Sequence, residues 1–493
     1  MHKVKRGVEH RPLVVLGIDG LWWGLYDFIK KVSNIPNIRN LIRHMQRRDL
    51  ISTIPPHTAI AWTTIFTGVN PGKHGVFGFL KFNSLNSSYR LTTSGDIKKP
   101  LLWELLNGIY RKPQLVINAP LSSPFRKFKG VGIPDWLSPV AKFNINNVSN
   151  ETKQIILKNR SDLLSYTGKL WPILQEDPEA LLQIIIDDLR KRVSIYREIL
   201  NNEDWSAIII VFSEIDWIQH ISSLYIGKRQ YLKYLQKYAS KAFEVIDAFT
   251  KDLLNLYDGK STVYAIVSDH GFQFYDKIVM PARILIKAKL MSTSWLSRLV
   301  LENNVIYRLA KISITLSNKF SRKSSLILWR FARKQNLADI SKSPAYIQRD
   351  LFGTGIRINK ILLRKKGLKY PTVVRWIIEL FKKVNSKLDA LSLIAKRSDI
   401  YWGKYVIWAP DVILLPKFSK KFWLSSELSK EIITKEFMAS HNMKGVFGIY
   451  SDGIVLKEGS VQALDVLGII LDSLNIDRPH YIDSAENLIL EVG

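Results

Sequence analysis

Short, uninterrupted apolar runs are the feature that most constrains the fold of this chain. They lie at 13–18, 115–117, 207–212 and 262–267, and polar residues follow each of them. Runs of this kind, rich in valine and isoleucine, are typical of strands that are buried on both faces of a parallel sheet. Helix-like stretches at 179–200 and 229–254 separate the later runs, and a further run at 406–415 predicts another strand. We therefore expect an α/β fold with a central, mostly parallel sheet that is flanked by helices on both faces.

Carboxylates and imidazoles stand directly after three of these runs. Asp19 ends the first run, Asp216 and His220 follow the 207–212 run, and Asp269 and His270 follow the 262–267 run. Ligands of parallel sheets bind at the carboxyl ends of the strands, so we expect these side chains to lie together. Asp216 and His220 are also four residues apart, which places both on one face of a helix.

These residue types are typical metal ligands. The chain has no cysteine, so any metal must be held by oxygen and imidazole ligands, which suit zinc, manganese or iron. Each element also has a simpler interpretation, in which Asp19 caps a helix, Asp216 and His220 are an accidental pair, and Asp269-His270 is a plain turn. Their coincidence at three strand ends favours a metal site.

Thr58 is a candidate nucleophile. Pro55 and Pro56 prevent a helix before it, and 58–66 is predicted to be a short helix that begins at Thr58. The N-terminus of a helix offers free amides and a positive dipole end, which suit a phosphoryl group. The alternative is that Thr58 is an ordinary N-cap.

Five segments resemble the type I phosphodiesterase/nucleotide pyrophosphatase family of the alkaline phosphatase superfamily. They are IDGL (18–21), PPHTAIAWTTIFTGVNPGKHG (55–75), SEIDWIQH (213–220), SDHGF (268–272) and ASHNMKGVFGIYSDGI (439–454). They occur in the family's order between about residues 12 and 455. The resemblance implies an alkaline-phosphatase-like fold with a helical cap or insertion.

The resemblance also implies a metal-dependent hydrolase that cleaves phosphoric esters. Two divalent ions, zinc first with manganese or iron as alternatives, would be held by two sets of residues: Asp19, Thr58, Asp269 and His270 in the first set, and Asp216, His220 and His441 in the second. Thr58 would attack phosphorus and form a covalent phosphothreonine. Phosphodiesters are the favoured substrates; a phosphomutase or phospho-group transferase, and a non-catalytic relative that binds anions or membranes, are the alternatives.

Two positions depart from the family pattern. Phe79 stands where nucleotide pyrophosphatases carry a phosphate-binding asparagine, and Ile60 stands where many relatives have proline. The first departure argues against nucleotide pyrophosphatase activity in the narrow sense. We interpret His57, Lys73 and His74, which flank Thr58, as structural residues.

The charge of the chain predicts an anionic partner. Lys and Arg number 72 against 43 Asp and Glu, a formal net charge of +29. The basic residues of 283–338, where Glu302 is the one acid, predict amphipathic helices that cap the site, contact an acidic membrane surface, bind nucleic acid or serve solubility.

The predicted organisation has three parts. Residues 12–282 form the first part of the core, with 121–200 partly loop or cap; residues 283–340 are a basic helical insertion; and residues 341–493 are the second part of the core. The basic start of the chain lacks the pattern of a signal peptide, and no long apolar run indicates a spanning helix. We expect a cytoplasmic protein, with peripheral membrane contact as the alternative.

Overall fold

The computed structural model describes most of the chain between residues 10 and 491. The described ranges are 10–83, 88–135, 142–164, 177–223, 228–257, 261–293, 339–427, 429–485 and 488–491. The larger part of the basic insertion that we predicted at 283–338, from residue 294 onward, lies outside the described residues.

Strands and helices are interspersed along the described part of the chain. The strands are β1 Leu13–Ile18, β2 Gln46–Ile51, β3 Leu80–Asn83, β4 Ser88–Leu91, β5 Gln114–Ile117, β6 Gly130–Ile133, β7 Asn144–Asn146, β8 Ala207–Phe212, β9 Val263–Val267, β10 Gly271–Tyr275, β11 Lys277–Val279, β12 Ala345–Ile347, β13 Gly355–Ile358, β14 Leu391–Lys396, β15 Val412–Pro416, β16 Phe422–Leu424, β17 Ile433–Thr434, β18 Met438–Asn442, β19 Lys444–Tyr450, β20 Ile454–Leu456, β21 Val461–Gln462 and β22 Ile489–Glu491. The helices are α1 Trp23–Val32, α2 Pro36–His44, α3 Thr58–Thr67, α4 Pro71–His74, α5 Leu102–Leu106, α6 Asn150–Lys158, α7 Arg160–Leu163, α8 Pro178–Leu200, α9 Glu214–Ser222, α10 Lys228–Leu256, α11 Pro281–Lys287, α12 Lys360–Lys365, α13 Tyr370–Leu388 and α14 Val466–Ser473.

A nine-stranded sheet forms the centre of the described part of the molecule. Its strand order is β21-β2-β19-β9-β1-β8-β5-β6-β7. The five central strands β9, β1, β8, β5 and β6 are parallel, and β19 lies antiparallel between β2 and β9. All six residues of β1 are buried, as an apolar run in a parallel sheet predicts. The mostly parallel sheet that we predicted is confirmed.

Helices cover both faces of this sheet. Val14, Leu16 and Ile18 of β1 face a core that is closed by α1, α2, α8 and α10. Leu13 and Val15 point to the opposite core, which includes residues of α3, α5 and α14. Successive side chains of a strand alternate between its faces, so both faces of β1 must be apolar. Burying each such side chain contributes roughly 1.5–3 kcal/mol.

A second, smaller layer follows the first half of the chain. Strands β12, β13, β15 and β14 form a four-stranded sheet, and α11, α12 and α13 contribute to its apolar core. The strand that we predicted at 406–415 is shorter and begins at Val412, because Pro410 lacks an N–H and holds the preceding residue in an extended conformation. Residues 406–408 form a 3₁₀ turn instead.

Residues 121–200, which we expected to be partly loop or cap, contribute β6 and β7 to one edge of the main sheet. These strands are short and contain glycine and asparagine, which gave no strand pattern. Within the described ranges, none of the helices combines the length and the apolar composition that crossing a bilayer requires.

Candidate active site

The carboxyl ends of β1 and β9 bring Asp19 and Asp269 together. The backbone N–H of Gly20, which has a φ of +70°, lies 3.4 Å from Oδ1 of Asp269. The N–H of Leu21 donates to Oγ of Ser268 at 2.9 Å. A left-handed conformation suits glycine and lets the chain turn directly after the strand. The two adjacent strands therefore deliver their carboxylates to one point.

Thr58 lies at the N-terminus of α3, where the sequence predicted it. Every residue of this helix is buried. The hydroxyl Oγ1 of Thr58 is 3.2 Å from Nε2 of His270. One turn further along, the indole N–H of Trp62 donates to Oδ2 of Asp19 at 3.3 Å. The helix thus presents Thr58 to the strand ends and also orients one of their carboxylates.

Asp216 and His220 occupy one face of α9, as their spacing predicted. Nε2 of His220 is 3.5 Å from Oδ1 of Asp216. The helix begins two residues after β8 ends, so its first turn lies beside the end of β1. A Cβ at Gly20 would come within 2.9 Å of Asp216 Oδ1, which shows how closely the two segments approach.

His441 enters the same cluster from β18, which pairs with β10. Its Nε2 lies 2.9 Å from Nε2 of His220 and 3.5 Å from Oδ1 of Asp216. Its ring stacks on the ring of His270, with centroids 3.6 Å apart. Strand ends gave no signal for His441, which the family resemblance alone indicated, because β18 belongs to a separate two-stranded sheet.

The structure therefore brings all seven sequence-predicted residues into one cluster. Ligand atoms within 4.8 Å of one another define two groups, Asp19–Asp269–His270 and Asp216–His270–His441. His270 belongs to both groups. His220 adjoins the second group, and Thr58 adjoins His270.

Two of the imidazoles are held with Nε2 directed into the cluster. Nδ1 of His441 lies 3.0 Å from the carbonyl oxygen of Pro56, and Nδ1 of His270 lies 3.2 Å from that of Gly271. A carbonyl only accepts, so each Nδ1 carries the proton and donates it. The lone pair of each Nε2 is then available to a ligand, as in protein-bound metal sites.

The buried carboxylates fit divalent cations. Among the described residues, Oδ1 of Asp19, Oδ1 of Asp216 and Oδ2 of Asp269 are buried without a hydrogen-bond partner. Burial raises the pKa of all three carboxyl groups, and the neighbouring carboxylates raise it further. An unpaired buried charge is costly, and a cation bound between these oxygens would neutralise it.

The protonation state of the three histidines also suits metal binding. Burial lowers the pKa of His220 to about 4 and holds the pKa values of His270 and His441 well below the usual range. The three rings are therefore neutral near pH 7, which is the form that binds metals. A set of carboxylate oxygens and imidazoles suits zinc, manganese or iron.

Residues beside Thr58 have structural contacts. Lys73 pairs with Asp483 at 2.5 Å. The N–H of Val76 donates to Nδ1 of His74 at 3.1 Å. Nε2 of His57 lies 2.9 Å from the carbonyl oxygen of Asp350. These contacts agree with our interpretation of Lys73, His74 and His57 as structural residues.

Two aromatic residues, Phe79 and Phe352, contact His57, and Phe352 also contacts His441 of the cluster. Phe79 packs on His57, with ring centroids 5.0 Å apart. Phe352 contacts the rings of His57 and His441 at 5.8 and 5.3 Å, and it does so from a left-handed backbone conformation with a φ of +48°. Such a conformation is unusual for an aromatic residue. Sequence reasoning missed Phe352, because only the folded chain brings it to His441.

A buried ion pair supports the segment that carries Asp216. The guanidinium of Arg192 on α8 pairs with the carboxylate of Glu214 at the start of α9, and both side chains are buried. Arg192 also donates to Asp188 at 3.1 Å. This pair fixes α9 to its neighbouring helix.

The fold and this cluster together define a class of proteins, the phosphoester hydrolases of the alkaline phosphatase superfamily. The sequence profile of the type I phosphodiesterase/nucleotide pyrophosphatase family matches residues 13–325. The chain belongs to this family, and it is a phosphoester hydrolase of the phosphodiesterase/phosphatase type. The resemblance that the motifs indicated is confirmed.

Solved structures show the same fold at low sequence identity. The alkaline phosphatase PafA is 13% identical to this chain, with a TM-score of 0.59. The alignment covers 97% of this chain and 98% of the PafA chain. Phosphonoacetate hydrolase from Sinorhizobium meliloti 1021, in complex with phosphonoformate, is 10% identical with a TM-score of 0.54, covering 94% and 96%. Inactive murine ectonucleotide pyrophosphatase/phosphodiesterase 5, in complex with AMP, is 10% identical with a TM-score of 0.51, covering 97% and 100%. A comparison with curated protein sequences gives no match.

Proposed function

We propose that the chain is a metal-dependent phosphodiesterase that uses Thr58 as its nucleophile. The observation that carries this proposal is the position of the Thr58 hydroxyl, 3.2 Å from Nε2 of His270, which is the residue shared by the two ligand groups. Phosphoester hydrolysis itself follows from family membership. The nucleophile, the ions and the preference for diesters are the parts that need a test.

The cluster would hold two divalent ions. Asp19, Thr58, Asp269 and His270 would bind one, and Asp216, His220 and His441 the other, with zinc favoured over manganese and iron. When bound, such ions lower the pKa of a hydroxyl and neutralise charge that develops on phosphoryl oxygens. The three buried carboxylate oxygens that have no hydrogen-bond partner among the described residues support this assignment.

The residues of the chain have separate parts in the reaction. The Oγ1 of Thr58 would lose its proton and form a bond to phosphorus while the bond from phosphorus to the leaving ester oxygen breaks, and the leaving oxygen would take up a proton. The first amides of α3 would face the phosphoryl oxygens, which the positive end of the helix dipole stabilises. Water would then attack phosphorus, the bond from phosphorus to Oγ1 would break, one proton of the water would return to Oγ1, and the phosphate monoester would be released. Trp62 would keep Asp19 in position throughout, through its hydrogen bond to Oδ2.

Diesters are favoured because the family is one of phosphodiesterases, and Phe79 agrees with this preference. It packs on His57 beside the cluster, where relatives place a phosphate-binding asparagine. An aromatic ring in this position cannot donate a hydrogen bond to phosphate oxygens. We therefore expect weaker binding of groups that carry more charge, such as monoesters and nucleotide pyrophosphates, than of singly charged diesters.

The test compares bis-p-nitrophenyl phosphate with p-nitrophenyl phosphate, together with metal content by mass spectrometry. We expect about two metal ions per chain, faster turnover of the diester, and a loss of about 10³-fold or more in Thr58→Ala. Thr58→Ser should retain turnover because it keeps a hydroxyl. Thr67→Ala, at the other end of α3, is the matched control, since Thr67 Oγ1 donates only to its own helix at Thr63 O among the described contacts.

Each outcome has a defined meaning. Undiminished turnover in Thr58→Ala would exclude Thr58 as the nucleophile. A fully active protein without bound metal would exclude the metal assignment. Faster turnover of the monoester than of the diester would exclude the preference for diesters.

A further inference from the structure

An apolar groove lies beside the candidate active site, between α1, α10 and β10. Its volume is about 200 Å³. Its walls are mainly aromatic and aliphatic, and they include Trp22, Phe28, Tyr231, Leu232, Leu235 and Phe272. For comparison, an engineered apolar cavity of about 150 Å³ binds benzene in another protein. The groove is therefore large enough for a ring or a short alkyl chain.

Two walls of the groove continue into the ligand cluster. The ring of Phe272 packs against the ring of His220, with centroids 4.8 Å apart, and against that of His441 at 5.8 Å. The indole N–H of Trp22 lies 3.3 Å from Oε1 of Gln219, the residue before His220. A molecule in the groove would therefore contact Phe272 and Trp22, which border the cluster.

The most exposed imidazole of the cluster lies on the side of the groove. The His220 side chain is 34% exposed. The side chains of the other charged or imidazole ligands are at most 9% exposed, namely Asp19, Asp216, Asp269, His270 and His441. A substrate therefore reaches the cluster past His220, directly beside Phe272.

We propose that this groove binds the leaving group of the substrate, and that the leaving group is apolar. This inference rests on the proposed function. In-line displacement places the leaving oxygen opposite the attacking hydroxyl, and therefore directs the leaving group away from Thr58. Thr58 lies against buried His270, whereas the partly exposed His220 lies against Phe272, which is a wall of the groove. The substrate is thus an amphiphilic phosphodiester with a charged phosphate and an aryl or alkyl ester group.

The chemistry of the walls excludes more polar leaving groups. A ribose or another sugar carries several hydroxyl groups, and each would lose its hydrogen bonds to water against apolar walls. An alkyl or alkylaryl group instead gains about two- to fourfold in affinity for each buried methylene, up to the volume of the groove.

The test uses 4-alkylphenyl methyl phosphates with alkyl groups from methyl to hexyl. Para-alkyl groups change the length of the leaving phenol with little effect on its acidity, so differences in kcat/KM report on the groove. We expect kcat/KM to rise by about two- to fourfold per methylene and then to level off. Leu232→Glu, which places a charge in the groove wall, should abolish this rise.

Leu256→Glu is the matched control, because Leu256 is also exposed and lies at the far end of the same helix. It should keep the rise of the wild-type protein. The same loss in Leu256→Glu and Leu232→Glu would overturn the inference, because a general effect of added charge would then explain both.

Binding measurements separate this inference from the proposed function. Calorimetry with hexyl phosphate and methyl phosphate, on the purified metal-loaded chain, should show at least tenfold tighter binding of hexyl phosphate. Turnover without any dependence on chain length would overturn the groove inference and leave the proposed function intact. Absence of turnover would contradict the proposed function, and the binding ratio would then decide the groove inference alone.

Discussion

His74 is a buried histidine whose neutral ring is part of the fold. Its Nδ1 accepts the N–H of Val76, so Nε2 carries the proton, and it lies 3.0 Å from Oγ1 of Thr64. Burial lowers the pKa of His74 to about 3. The unfolded chain, with an ordinary value near 6.5, takes up a proton first as the pH falls. The contribution of His74 to stability is therefore complete above about pH 6.5 and declines from there towards pH 3.

We predict that His74→Asn reduces the pH dependence of stability. The wild-type protein should lose about 2 kcal/mol more unfolding free energy than the variant between pH 7 and pH 5, because only the wild-type unfolded chain protonates residue 74. Urea unfolding at the two pH values measures this difference. Equal losses in the two proteins would contradict the buried, neutral state of His74.

Residue-level inference from the sequence succeeded where local pattern determines position. Asp19, Asp216 and Asp269 could be placed together because each follows a strand of one parallel sheet, and such strands end at one edge. Phe352 and the Trp62–Asp19 hydrogen bond could not be predicted. Both depend on contacts between segments that are distant in sequence, and neither residue type carries a chemical signature of its own.

The pairing of α8 with α9 is the element-scale feature that supports the cluster. Arg192 pairs with Oε1 of Glu214, both side chains are buried, and Oε2 of Glu214 has no hydrogen-bond partner among the described residues. Removal of one member leaves a buried charge without its counter-charge.

We predict that Arg192→Met lowers the unfolding free energy by about 3–5 kcal/mol. The double variant Arg192→Met/Glu214→Met should recover much of this loss, because it removes both charges and fills the same space with apolar side chains. Urea unfolding of the single and double variants measures the coupling. Additive losses would show that the two side chains do not act as a pair.

Elements with strong patterns were predictable, and elements with weak patterns were not. The helix predicted at 229–254 spans Lys228–Leu256, and the 207–212 run is β8 in full. In the four-stranded sheet only β15 gave a strand signal, whereas β12, β13 and β14 gave no clear one, because they are short and lie far apart in the sequence. A single proline decided where β15 begins.

The net charge of +29 is a property of the whole molecule. A positive field attracts anionic substrates and raises their rate of encounter, and dissolved salt screens it. The Debye length falls from about 30 Å at 0.01 M to about 10 Å at 0.1 M ionic strength.

We predict that kcat/KM for an anionic diester falls several-fold over this range of ionic strength, while kcat at saturation changes little. Steady-state kinetics in sodium chloride, repeated in potassium chloride at equal ionic strength, distinguishes screening from binding of a particular ion. A kcat/KM that is independent of salt would show that the net charge has no role in substrate encounter.

The position of β19 has a consequence for synthesis on the ribosome. In the finished sheet this strand separates β2 from β9, yet it follows both of them in the chain. At about 5–20 residues per second, roughly 10–35 s pass between the appearance of β9 and that of β19. During this interval β2 and the outer edge of β9 lack the strand that later pairs with both, so their backbone groups on these edges stay unpaired. His441 lies on β18, directly before β19 in the chain, so this proposed metal ligand is synthesised at the same late stage as the strand that closes the sheet.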